Sequence, residues 1–139
     1  MHALHDRRAV HLLEQMTIEV EALSTHLGRP LSLIAESDLN DARMVTSRDG
    51  GGYGLHAQWA DDVHHSLHVA LTGEDQGYYA DFATAGLTGL AHVLTRAFLH
   101  EGTWSSFRQR NHGAPVDTNR VPGHRFVVYL QNHDQIGNR

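Results

Sequence analysis

Cysteine is absent from the 139 residues, and so is lysine: all 11 basic residues are arginine. The first absence removes disulfides, thiol nucleophiles and thiolate metal sites together. The second fits a GC-rich coding sequence and carries little functional information. No apolar stretch approaches the roughly 20 residues that span a bilayer. The start, MHALHDRR, has neither the apolar core nor the small-residue cleavage site of a signal peptide. The expectation is a soluble cytoplasmic protein with no membrane partner. A basic patch interleaved with aromatics is also missing, and the formal charge is −5, which argues against nucleic acid as a partner. The run Gly50-Gly51-Gly52 lacks the Lys-Ser/Thr of a phosphate loop, and Ser105 and Ser106 lack a G-x-S-x-G elbow.

What is present is enough apolar material, 40% of residues, for one core of ordinary size and no internal domain boundary across residues 1–139. Ala9, Leu13, Met16, Val20, Leu23 and Leu27 recur at steps of three and four, which predicts an amphipathic helix capped by Asp6 and stopped by Gly28 and Pro30. Residues 31–35 read as a strand that ends in Glu36, and residues 37–54 as a polar loop with a turn or two of helix. Residues 53–59, YGLHAQW, read as a second strand, with Asp61 and Asp62 capping a helix that begins near Val63 and ends at Gly73. A further helix over 84–99 would bury Leu87, Leu90, Ala91, Leu94 and Phe98, weakened by Gly86 and Gly89. Residues 102–123 have no periodicity and read as a long surface loop. FVVYL, residues 126–130, is the clearest strand and runs into Gln131-Asn132-His133-Asp134.

Strands alternating with helices predict a parallel sheet with helical crossovers. Each of the three strands then finishes at an acidic or polar cluster: Glu36, Asp61 with Asp62, and Asp134. Parallel strands deliver all three to one rim, where α/β enzymes place their chemistry. Two carboxyls facing across a cleft suit glycoside hydrolysis, although a Glu at a strand end is more often a solvated or capping residue. The 13 histidines raise the question of metal. In DDVHHSLH, His64 and His68 stand one helical turn apart, but no third ligand and no HEXXH glutamate accompany them, so no metal or cofactor is expected. Trp104, Phe107, Arg108 and Arg110 in the long loop are suited either to a sugar ring or to packing the loop on the body.

Five segments, LIAESDLND, GGYGLHAQWADDVHHSLH, GYYADF, FLHEGTWSSFRQRNHG and VVYLQNHDQIGNR, resemble in that order the maltooligosyltrehalose trehalohydrolase family of the α-amylase superfamily. The resemblance spans essentially the whole chain. It implies a partial (β/α)8 barrel, about strands 5 to 7 with the helix before strand 5. It also implies a retaining hydrolase that releases trehalose from maltooligosyl trehalose. By the same resemblance Glu36 is the general acid/base and Asp134 stabilises the transition state. His2, Trp59, Asp61, Asp62, His133 and Gln135 are then substrate-binding. His56 departs from the family's usual Asp. The family's nucleophilic Asp would lie two residues before Met1, so this chain is expected to be a fragment, inactive alone. The alternatives are another α-glucan hydrolase or branching enzyme of the superfamily, or a noncatalytic carbohydrate-binding remnant.

Overall fold

The computed structural model describes residues 4–138. Helix α1 covers Leu12–Leu27. It begins three residues later than the apolar spacing suggests, because His11 is the N-cap: its Nδ1 accepts from the Leu13 N–H at 3.2 Å. Asp6 contributes from further back, its Oδ2 accepting from the Leu12 N–H at 2.6 Å. The end at Gly28 is as expected, with φ +62. The expected buried face is not. Only Leu13 and Thr17 are buried, while Met16, Leu23 and Leu27 are exposed. Among the described residues no element covers that side of the helix.

Three short strands, β1 (Ile34–Ala35), β2 (Ala57–Trp59) and a later one, form a parallel sheet. Helix α2 (Asp61–Thr72) follows β2 directly, with Ala60 as N-cap and both aspartates in its first turn, and ends at Gly73. Helix α3 spans Ala80–Arg96. Strands β3 (Thr103–Ser105) and β4 (Arg110–His112) pair as an antiparallel hairpin inside the segment expected to be a structureless loop. Strand β5 (Phe126–Val127) completes the sheet in the order β1-β2-β5. A last helix, α4, covers His133–Asn138. The register sets Ala35 beside Gln58, and Trp59 beside Val127.

The strands are shorter than their apolar runs. Residues 53–55 do not join the sheet, because their N–H groups donate to Arg43, Thr46 and Met44 carbonyls in the preceding loop. FVVYL pairs with β2 only through Phe126 and Val127, and the Val127 carbonyl also accepts from Ala60 N at 3.0 Å; β2 has by then turned into α2, so residues 128–130 meet no strand on that side among the described residues. The loop before β2 does contain two single turns of 3-10 helix, Ala42–Met44 and Arg48–Gly50.

The core lies below the rim. Leu13, Ala35, Met44, Leu55, Phe98, Val116 and Val121 belong to one cluster, and Ala60, Val63 and Val93 join α2 and α3 to the sheet. In α3 the expected face is displaced: Leu87 and Leu94 are exposed, while Phe82, Gly89 and Val93 are buried. The cause is Gly86, at φ +55 and ψ −144, which breaks the helix and shifts the residues on either side out of a common 3.6-residue phase. No helix among the described residues is long and apolar enough to cross a membrane.

Candidate active site

Parallel strands bring their carboxyl ends together, and the chain leaves each one in a polar turn. Glu36 follows β1, Asp61 opens α2 after β2, and Asp134 lies in the first turn of α4 beyond β5. All three line a single open cavity of about 420 Å³. Asp38 joins them, and His65, Tyr78, Phe107 and Arg108 belong to the same lining. Gln58, fully buried on β2, anchors the turn after Glu36 by donating from Nε2 to the Ser37 carbonyl at 3.3 Å.

The cavity is strongly acidic. Four carboxylates face one arginine, and Arg108 is already engaged, with its Nη2 2.6 Å from Asp38 Oδ2. Asp61 accepts the Tyr129 hydroxyl at 2.8 Å. Burial raises its pKa from 3.8 to about 6; the Tyr129 hydrogen bond works against this, and the charges of Asp62, Glu36 and Asp38 add to it. The Tyr129 phenol is itself pushed well above its ordinary value by burial and by the Asp61 charge. Burial pushes His65 down to about 3, with the neighbouring His64 and His68 adding to the effect, so it is a neutral imidazole in the wall. His133 brings Nε2 to 3.4 Å from Glu36 Oε1. Such a site favours positive charge developing on a neutral substrate and repels phosphate and other anions.

Tyr129 also anchors the segment that leads to Asp134. Its ring stacks on His64 with centroids 5.1 Å apart and meets the edge of Trp59 at 5.1 Å. The His64 Nδ1–H donates to the Leu130 carbonyl. The turn is closed by Asn132, whose Oδ1 accepts from Asp134 N at 2.9 Å, and by Gln135, whose Oε1 accepts from Asn132 N at 3.0 Å.

The residues expected at the site therefore separate into groups. Glu36, Asp61 and Asp134 share the cavity wall, and His133 reaches Glu36. Trp59 is half-buried against Tyr129, and Gln135 holds a turn. Asp62 is buried, its Oδ2 accepting from Leu99 N at 2.7 Å and from Asn40 Nδ2 at 2.8 Å, behind the open cavity and not in it. Its pKa is raised, burial outweighing those two donors. His2 lies outside the described residues. Asp38, His65 and Tyr78 were not singled out as binding groups from the sequence. The only signal for Tyr78 was its place in GYYADF. His68 sits 2.8 Å from Glu74, while His64 Nδ1 meets the Leu130 carbonyl. Among the described residues no three His, Asp or Glu side chains gather as a metal site.

No family model matches the chain. A malto-oligosyltrehalose trehalohydrolase from Arthrobacter ramosus is 56% identical over all 139 residues. Proteins of the same name from Mycobacterium tuberculosis and Saccharolobus solfataricus are 52% and 42% identical, again across the whole chain. This chain is similar to one segment of the malto-oligosyltrehalose trehalohydrolases. It spans about a quarter of their length, 24% of the Arthrobacter protein. A crystal structure at 1.4 Å of a Salmonella typhimurium protein assigned as an alpha amylase superposes on all of the chain and on 23% of its own length, with a TM-score of 0.84 and 34% identity. The fold is accordingly part of a (β/α)8 barrel, with the parallel β1-β2-β5 sheet as a portion of its wall. The trehalohydrolase likeness includes the segments that carry Glu36, Asp61 and Asp134, since the alignments leave no residue of this chain uncovered.

Proposed function

We propose that this chain is a piece of the catalytic barrel domain of a retaining glycoside hydrolase whose substrate is maltooligosyl trehalose, cleaved at the α-1,4 bond next to the terminal trehalose. The observation that carries the proposal is the cavity wall that Glu36 and Asp134 share, with Asp61 beside them. In this reading Glu36 protonates the leaving oxygen and later takes a proton from water. Asp134 favours the oxocarbenium-like state, and His133 binds a sugar hydroxyl beside Glu36. Asp61 and neutral His65 bind further hydroxyls. Asp62 and Tyr129 are positioning residues: the first ties the turn at Asn40 to Leu99, and the second ties Asp61 to the segment ahead of Asp134.

A retaining mechanism also needs a nucleophilic carboxylate about 5–5.5 Å from the acid/base. Asp38 is held by Arg108 and Asp61 by Tyr129, so neither is suited to attack an anomeric carbon. The attacking Asp is proposed to come from outside the 139 residues, and the chain alone is proposed not to turn over. Calorimetry with maltooligosyl trehalose and with a plain maltooligosaccharide of equal length tests this, together with product analysis. Binding with preference for the trehalose-terminated chain and no trehalose released is expected. Failure to bind either saccharide overturns the site, and a preference for the plain chain moves the reading to another α-glucan hydrolase or a branching enzyme. Trehalose released by the chain alone refutes the external nucleophile.

A further inference from the structure

The β3–β4 hairpin separates two recesses. Its tip carries Phe107 and Arg108 into the acidic cavity, while Trp104 on β3 borders a second, shallow recess of about 280 Å³ together with Asp81, Thr84, His100 and Thr103. Strand alternation accounts for the division: Ser105 turns inward and is buried, so its neighbour Trp104 turns out and is 58% exposed. A side chain of this size is normally largely buried and its N–H partnered. Among the described residues no ring packs on Trp104, and its indole N–H meets no acceptor.

The surroundings of the indole are fixed and polar. Asp81 Oδ2 accepts from Ser106 N at 2.8 Å and lies 3.0 Å from His100 Nε2, and the other ring nitrogen of His100 is 3.1 Å from Thr103 Oγ1. These contacts tie the hairpin to the start of α3. The result is an open aromatic face bordered by hydroxyls, a carboxylate and an indole N–H. A hexose presents the complement, an apolar face for stacking and a rim of hydroxyls for hydrogen bonds. Asp81 disfavours an anionic ligand, and a lone indole offers too little apolar area for a protein partner.

We propose that Trp104 and its recess form a second carbohydrate subsite, holding the distal glucose units of an α-glucan whose reacting end occupies the acidic cavity. The proposal rests on the reading of that cavity given above. Phe107 and Trp104 are three residues apart on one hairpin, at most about 10 Å along the chain, so several linked hexoses can touch both.

Calorimetry and indole fluorescence of the 139-residue chain with maltotriose and maltoheptaose test the subsite. Maltoheptaose is expected to bind about tenfold tighter than maltotriose and to change the indole emission. Trp104→Ala removes both effects and leaves maltotriose affinity within about twofold, while Trp104→Phe keeps part of the gain. Phe107→Ala weakens both ligands. Full maltoheptaose affinity in Trp104→Ala overturns the subsite and leaves the cavity reading standing. Loss of maltoheptaose binding in Trp104→Ala, with Phe107→Ala changing neither ligand, overturns the continuity of the two recesses and the cavity reading with it. Absence of binding by the unsubstituted chain overturns both.

Discussion

Asp61→Asn isolates what the acidic cavity costs the fold. The substitution keeps an oxygen that can accept the Tyr129 hydroxyl, now at 2.8 Å, and removes the charge. Because burial holds the Asp61 pKa at about 6 against 3.8 for an ordinary Asp, ionising it is harder in the folded chain than in the unfolded one. The sign follows from proton linkage. Below pH 3.8 the carboxyl is protonated in both states and the Asp costs nothing. Between 3.8 and about 6 the unfolded chain ionises first, so stability falls as pH rises, and above about 6 the penalty is complete. At 1.36 kcal/mol per tenfold change in proton affinity, the full penalty is about 3 kcal/mol, an upper bound because solvent reaches part of the cavity wall.

Urea unfolding of both proteins from pH 3.5 to 7.5 measures the difference directly, and the other buried carboxylates largely cancel between them. Asp61→Asn is expected to be indistinguishable from the unsubstituted chain at pH 3.5 and more stable by up to about 3 kcal/mol at pH 7.5, with the change centred between pH 4 and 6. The same substitution is expected to weaken maltooligosaccharide binding, as for a group whose position serves a ligand at the expense of stability. A difference independent of pH, or a less stable variant at pH 7.5, would refute the reasoning.

Gly86→Ala is expected to cost about 1–3 kcal/mol from backbone strain alone, because φ is +55 there yet an added Cβ would meet nothing within 4 Å. Leu87→Ala beside it, at a 76% exposed position, should stay within about 0.5 kcal/mol in the same thermal or urea assay. Gly52→Ala acts through crowding, since its Cβ would fall 2.2 Å from the Thr46 carbonyl oxygen; a loss of about 2 kcal/mol is expected in urea unfolding. Asn40→Ala removes the amide that donates to Asp62 at 2.8 Å and should cost about 2–3 kcal/mol at pH 7, read by urea unfolding.

Much of the site was legible because one rule connects distant residues: parallel strands put their carboxyl ends on one rim, so Glu36, Asp61 and Asp134 could be brought together from sequence alone. What remained hidden depends on rotation and partnership. Leu87 and Leu94 were placed on a buried face by a phase that Gly86 interrupts, and apolar spacing does not reveal a break that only a backbone angle records. The β3–β4 hairpin is not legible in the sequence because Thr103–Ser105 is too short to establish a period and Arg110–His112 is wholly polar. Val128 and Leu130 looked like strand because hydrophobicity does not say whether a neighbour is there to pair.

Asp61 and Asp62 state the limit most sharply. Adjacent in sequence and identical in chemistry, they occupy the first turn of α2, where consecutive side chains diverge by about 100° around the axis. One consequently faces the cavity with Tyr129, and the other faces inward to Asn40 and the Leu99 N–H. Charge count and spacing treat the pair as equivalent. Only the direction in which α2 leaves β2, set by the capping position at Ala60, makes Asp61 available to a ligand and Asp62 a strut beneath it.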